Sequence, residues 1–138
     1  MKNNKLFLIA INTIPNPVII TNGKKLLIAN DNFLSFFNYE NLEEFVKYNS
    51  CICNLFIKHK ECFSLDIVDE NTLWTEHLFN CKKTPITISI LDKDGNPNLF
   101  EIAINKLKEN SNDYIVVFTN TTPIHREKEL LEKMAIYF

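Results

Sequence analysis

A strand-like segment that runs into a helical one almost without a loop is the strongest constraint on the fold of this chain. Tyr114 to Thr119 is apolar at all but its last position, and from Ile124 onward apolar residues recur among charged ones at helical spacing. Thr122 is a residue type that caps helices, and Pro123 suits the first helical position because it lacks the N–H that would be unpaired there. We therefore expect residues 122–138 to form an exit helix that carries a shift of the strand to a following segment.

The other strands follow from alternation and from one turn signal. Val18–Thr21 and Leu26–Ala29 flank Asn22-Gly23, a dipeptide that tolerates the positive φ of a hairpin turn. Segments 86–91 and 100–105 alternate and predict half-buried strands, so that a five-stranded antiparallel sheet is expected. The first strand and the last are apolar on both faces. We therefore place them in the middle of the sheet, covered on both sides.

Helical spacing recurs between the strands and before them. Short helices are predicted after Asn30 and near 71–79, where they would cover one face of the sheet. An amphipathic helix, Lys5–Ile14, stops before Pro15 and is predicted to cover the other face, in its own chain or across a dimer. The prediction is a single α+β domain, 1–138, made of a cap helix at 5–14, a core at 17–119 and an exit helix at 122–138 that continues into a longer protein.

Composition excludes several classes of function. The formal net charge is -2 and the basic residues are scattered, so no nucleic-acid footprint is present. Leu6 to Ile11 is far shorter than the roughly 20 residues of a membrane helix, so we expect no membrane contact in this segment. Gly23 and Gly95 are the only glycines, too few for a phosphate-binding loop. With no nucleophile or metal constellation evident, a regulatory domain is expected and not an enzyme.

The four cysteines lie in a chain without a recognisable secretory signal, which favours a reduced, cytoplasmic setting and free thiols. Cys51 and Cys53, with His59 and Cys62 nearby, have the ligand types of a zinc or iron site. Structural zinc sites usually present Cys-x2–4-Cys pairs, and this pair has a single intervening residue. Buried or half-buried thiols are therefore favoured over a metal.

The order of the elements and three short motifs resemble the PAS sensory domain over the whole chain. Residues 27–33 (LIANDNF) are similar to the family's strand-to-helix entry, in which Asn precedes a buried aromatic residue. Residues 38–45 (NYENLEEF) resemble its Gly-Tyr and acidic turn, with Asn38 in place of Gly. Residues 117–122 (VFTNTT) are similar to the triplet that closes its last strand, with Asn120 where Asp is usual.

The resemblance implies a regulatory module attached to an output domain, most often a histidine kinase or a diguanylate cyclase. It assigns no single cofactor, because members bind haem, flavin or small metabolites and others serve only as dimer contacts. His77 lies broadly where haem-binding members supply an axial ligand, but a lone histidine on a helix is more often an ordinary polar residue. None of the cysteines has the sequence context of a flavin-reactive one.

A sensor would need a cavity, a route out of the domain and a partner. Residues between helices and sheet could line a ligand cavity or form a solid core: Phe37, Phe56, Phe63, Trp74, His77, Ile88, Ile102 and Val116. We expect signal coupling at Asn120, Thr121 and Thr122. In the exit helix, a weak heptad seam favours a homodimer: Ile124, Leu131 and Phe138 fall at position a and Met134 at position d, while Glu127 occupies the other d position. The alternative function is a ligand-free dimerisation or protein–protein interaction module.

Overall fold

The computed structural model describes residues 2–58, 72–81 and 85–136. The helices are α1 (Lys2–Ile11), α2 (Asp31–Phe37), α3 (Leu42–Tyr48), α4 (Trp74–Phe79) and α5 (Thr122–Ile136), with a 3-10 helix at Ile52–Leu55. The strands are β1 (Val18–Thr21), β2 (Leu26–Ala29), β3 (Phe56–Ile57), β4 (Ile86–Leu91), β5 (Pro97–Lys106) and β6 (Tyr114–Asn120). The α+β class is confirmed.

The strands form one antiparallel sheet in the order β2-β1-β6-β5-β4-β3. β1 and β6 are interior strands, as their two apolar faces predicted. The prediction of five strands was wrong by one, because β3 adds to the edge of β4 through the pairs Phe56–Ile90 and Ile57–Ser89. Two residues are too few to show the alternation that reveals a strand in a sequence.

The sheet separates two apolar clusters. β1 contributes side chains to both clusters, because successive side chains of a strand point to opposite faces. The smaller cluster joins Val18, Ile20 and Ile28 to Ile11 of α1. The larger cluster lies between the sheet and helices α2, α3 and α4, and its members include Ile19, Phe33, Phe37, Phe45, Ile52, Trp74, Leu78, Ile88, Phe100, Ile102, Val116 and Phe118.

Helix α1 begins and ends earlier than the predicted Lys5–Ile14. It ends at Ile11 because the next residues tighten into a turn, in which Thr13 N–H donates to Ala10 O at 3.2 Å. Ile11 is buried, whereas Leu6 and Ile9 keep 65% and 60% of their surface exposed. α1 therefore covers part of the outer face of its own sheet and leaves apolar side chains in solvent. None of the helices in the described ranges is both long and apolar enough to cross a membrane.

The β1–β2 hairpin needs its glycine for two reasons. Gly23 has a φ of +91°, a conformation that side chains disfavour. A Cβ at Gly23 would also lie 2.6 Å from Oγ1 of Thr75 on α4. The turn therefore packs directly against α4, and this close approach fixes the hairpin over one end of the larger cluster.

Candidate functional site

The junction between β6 and α5 contains a single residue, Thr121, that belongs to neither element. Its N–H donates to Leu99 O of β5 at 2.8 Å, and its hydroxyl donates to the same oxygen at 3.1 Å. Leu99 N–H in turn donates to Oγ1 of Thr122 at 2.8 Å. The junction and the first residue of α5 are thus hydrogen-bonded to β5, next to the last pairs of the sheet. Only one residue separates β6 from the helix.

The three predicted coupling residues all take part in this junction. Asn120 Oδ1 accepts the N–H of Thr122 at 3.0 Å, and its Nδ2 donates to Asn98 Oδ1 at 3.3 Å. Thr121 and Thr122 are buried. The Thr122 oxygen that the sequence suggested as a helix cap has Leu99 as a partner, a contact between segments 23 positions apart. Its role as a cap stays a prediction.

Asn30 is a buried hydrogen-bonding centre whose role sequence reasoning missed. It is 0% exposed, and its Oδ1 accepts the N–H groups of Val18 at 2.9 Å and Phe33 at 3.0 Å. Its Nδ2 donates to Ile11 O at 2.9 Å and Asn16 O at 2.8 Å. One side chain therefore holds the end of α1, the start of β1 and the first turn of α2. The available signal was an N-cap residue type directly before a helical pattern.

The same N-terminal linker also reaches the end of β6. Asn16 Nδ2 donates to Phe118 O and to Thr119 Oγ1, both at 3.3 Å. Phe118 N–H donates to Pro17 O at 2.9 Å. Through Asn30 and Asn16, the end of α1 is therefore hydrogen-bonded to the strand that becomes α5. Both terminal helices meet the sheet at this point.

The predicted cavity residues occupy one side of the sheet where they are described. Phe37, Trp74, Ile88, Ile102 and Val116 are buried members of the larger cluster. Phe56 packs against that cluster, and His77 is half-buried on α4. Phe63 lies outside the described residues. The structure therefore brings together the described apolar members of the predicted set.

Two cavities of different size border residues of this cluster in the described part of the chain. A void of about 10 Å³ is lined mainly by aromatic rings, among them Phe37, Phe100 and Phe118. That volume is about the least that holds one water. An open groove of about 340 Å³ lies at the other end, between α4 and strands β4 and β5, and includes Ile102 in its wall.

Three buried polar atoms of this region have no hydrogen-bond partner among the described residues: Trp74 Nε1, Thr75 Oγ1 and Ser89 Oγ. An unpaired buried donor is costly, so such groups often mark a place where something else binds. The Trp74 ring stands edge-on to Phe56, with ring centroids 5.3 Å apart. Among the predicted cavity residues, Trp74 is therefore the one best suited to donate a hydrogen bond to a polar atom of a ligand.

The prediction of free thiols was wrong for two of the cysteines. Cys51 and Cys53 form a disulfide, with Cα atoms 5.1 Å apart. In an extended strand, side chains two positions apart share one face, but their Cα atoms lie roughly 6.6 Å apart. The chain instead turns into the 3-10 helix at Ile52, and this turn brings the two Cα atoms closer together. Cys81 is a half-buried cysteine that follows α4.

The proposed metal ligands are only partly described, because His59 and Cys62 lie outside the described residues. Within the described ranges, no group of three or more His, Cys, Asp or Glu side chains is placed to hold a metal ion.

Among the residues that the structure describes, the pKa values of two ionisable groups are shifted by their surroundings. Burial, followed by the negative charge of Glu76, raises the pKa of Tyr114 above its ordinary value of 10.0. Hydrogen bonds, first from the Asn96 N–H, lower the pKa of Asp92 in the β4–β5 turn below 3.8 against a smaller opposing effect of burial. Tyr114 begins β6, so its ionisation would place charge inside the sheet.

Comparisons with known proteins give one kind of match. No family model matches the chain. No curated protein matches it. A solved structure does: the crystal structure of the PAS domain of a protein from Desulfitobacterium hafniense aligns with a TM-score of 0.51 and 20% sequence identity, over 80% of this chain and 96% of that one. At this identity the likeness is one of fold.

Proposed function

We propose that this chain, which has a PAS-like fold, is a cytoplasmic sensory module that binds a small ligand or responds to another signal. It passes the change through α5 to a linked output domain, a histidine kinase or a diguanylate cyclase. The observation that carries this proposal is the β6–α5 junction, where an interior strand continues into a helix across Thr121 alone.

The larger cluster supplies the mechanical input. Val116 and Phe118 of β6 are 0% and 2% exposed within it. The Phe118 ring lies 6.3 Å from the Phe33 ring and 6.0 Å from the Phe100 ring, centroid to centroid. Because β6 is bonded to β1 on one side and β5 on the other, displacement of these rings must move the strand with its neighbours.

The junction converts such a movement into a change of α5. Thr121 and Thr122 are bonded to Leu99, so the first turn of α5 follows β5 as well as β6. A small change in the register of these two strands alters the direction in which the helix leaves the sheet. The linked output domain would respond to this change in the direction of α5.

The proposed ligand binds among the predicted cavity residues and accepts a hydrogen bond from Trp74 Nε1. That N–H is buried and has no partner among the described residues. Replacing Trp74 by phenylalanine removes this N–H together with one of the two fused rings of the buried indole. A polar ligand would therefore lose one hydrogen bond and some of its apolar contacts.

Native mass spectrometry of the purified chain, with thermal-shift screening of small metabolites, tests whether a ligand binds. Trp74→Phe is expected to weaken binding at least about tenfold, the effect of losing one buried hydrogen bond. Tyr48→Phe is the matched control, because Tyr48 is 67% exposed on α3. Hydrogen exchange with ligand present should change in β6 and the first turn of α5. No bound compound, or binding without any change there, would contradict the proposal.

The second candidate is a ligand-free association module. It is favoured by the small void in the cluster, about 10 Å³, and by the exposed apolar residues of α1. Removing residues 1–14 separates the two functions. A sensor is expected to lose self-association and keep ligand binding, whereas an association module would lose its only measurable property.

A further inference from the structure

We propose that Cys51 and Cys53 form a reversible thiol–disulfide site that exchanges with low-molecular-weight disulfides and thiols. The two residues have one residue between them and are joined by a disulfide. Both side chains are half-buried, so a small reagent can reach the sulfur atoms. This inference goes beyond the proposed function, because it concerns covalent chemistry at a site outside the predicted cavity residues.

A disulfide that closes so short a loop contributes little to the stability of the fold. In the chain-entropy description, the stabilisation by a disulfide increases with the length of the loop that it closes, and this loop contains one residue between the cysteines. The reduced chain should therefore stay folded. In a reducing cytoplasm, disulfides of this kind are usually transient and serve redox sensing or catalysis.

The local backbone supports both redox states. Cys53 N–H donates a hydrogen bond to Cys51 Sγ at 3.1 Å, as a side-chain cap at the start of the 3-10 helix. This bond needs only the turn, so it is available to a free Cys51 sulfur as well. The donor also favours negative charge on that sulfur, which makes Cys51 the attacking residue.

Closure of the pair is a balanced exchange with a disulfide RSSR. The Cys51 thiolate attacks one sulfur of RSSR, forms a mixed disulfide and releases one thiolate, RS⁻. The Cys53 thiolate then attacks Cys51 Sγ and releases the second RS⁻. Two electrons pass from the cysteine pair to RSSR, and the two protons of the cysteines end on the two released thiols. Two thiols RSH reverse the reaction.

The site is placed to affect the core. Ile52, between the cysteines, is 1% exposed and lines the void that Phe33 and Phe118 also line. At the other end of the 3-10 helix, Phe56 N–H donates to Cys53 O, and the Phe56 ring contacts Trp74. Opening or closing the pair would therefore change the packing of Ile52 against β6 and of Phe56 against Trp74.

Peptide mapping of the full chain, equilibrated in mixtures of oxidised and reduced glutathione and then alkylated, tests this site. The expected result is a Cys51–Cys53 link whose fraction follows the mixture in both directions. Fluorescence of Trp74, the only tryptophan, should shift with the same midpoint. Two alkylated cysteines in the oxidised mixture, a link to Cys62 or Cys81 instead, or a link that glutathione and a stronger dithiol cannot open would overturn the site.

Single variants identify the chemistry. Cys51→Ser and Cys53→Ser should each leave a mixed disulfide with glutathione on the remaining cysteine and lose the Trp74 shift. Cys81→Ser, which changes a half-buried cysteine outside this pair, is the matched control and should behave as the unmodified chain. A reversible link without any Trp74 shift would overturn the effect on the core. Ligand binding by a Cys51→Ser, Cys53→Ser double variant tests the proposed function separately.

Discussion

At the scale of single residues, asparagines define where several helices of this chain begin or end. Asn30 and Asn41 cap α2 and α3 by accepting backbone N–H groups, and Asn38 ends α2 in the left-handed conformation with a φ of 63°. Asn tolerates that conformation better than other residues with side chains. Asn38 can therefore occupy the position at which the PAS domains that this chain resembles usually have Gly.

Asn30→Ala is predicted to cost about 3 kcal/mol or more of the free energy of unfolding, because it leaves three buried backbone groups and one part-buried backbone group without their partner. Asn41→Ala is the control, since it removes one exposed cap contact to Glu44 N–H and should cost about 1 kcal/mol. Urea unfolding of both variants measures the difference. Equal losses would show that Asn30 acts only as a cap.

Tyr114 is predicted to make stability fall at high pH. Its folded pKa is raised above 10.0, mainly by burial. The neutral form is therefore favoured in the fold, and this contribution is complete below the unfolded pKa and lost as pH rises through the folded one. Tyr114→Phe cannot ionise, so its urea midpoint should decline less above about pH 10. Parallel declines in the two proteins would exclude Tyr114 as the cause.

At the scale of elements, the β6–α5 junction is defined by hydrogen bonds to β5. Strand and helix could be read from the sequence because each has its own periodicity. The partner of Thr122 could not be read, because Leu99 belongs to another strand and is placed by the β5–β6 register. The prediction for this junction therefore concerns the tie between the two elements.

Thr122→Val removes the acceptor of the Leu99 N–H and is predicted to cost about 1 to 2 kcal/mol. Hydrogen exchange of Leu99 and of the first turn of α5 should become faster than in the unmodified chain. Thr122→Ser keeps the hydroxyl and should restore protection. If valine and serine gave the same exchange rates, this hydrogen bond would have no part in holding α5 to the sheet.

At the scale of the whole molecule, most of the exposed large apolar side chains in the described part of the chain lie on the terminal helices. Ile124 and Leu131 on α5 are 66% and 57% exposed, and Leu6 and Ile9 on α1 are similarly exposed. A groove of about 480 Å³ also opens between α1 and the β2 edge, with Leu8, Leu27, Leu34 and Leu42 in its wall. Large apolar side chains in solvent are typical of surfaces that associate.

We predict that the chain forms a homodimer through these helices. Leu131→Glu and an Ile9→Glu variant should each shift the molar mass measured by light scattering toward the monomer, because they place charge in an apolar contact. Tyr48→Glu, on the exposed side of α3, should leave the mass unchanged. A chain that is monomeric at every concentration would contradict the prediction.

The order of the elements other than β3 and the 3-10 helix, the Asn22-Gly23 hairpin, the interior position of β1 and β6 and the abrupt start of α5 were determined by the sequence itself. Each depends on backbone preferences and side-chain periodicity within a few residues. Tertiary structure alone decided the β3 pairing, the four partners of Asn30, the link from Asn16 to Phe118 and the joining of Cys51 to Cys53. These contacts depend on strand register, on packing between distant segments or on a turn too short to show a period, and none of them leaves a repeating pattern along the chain.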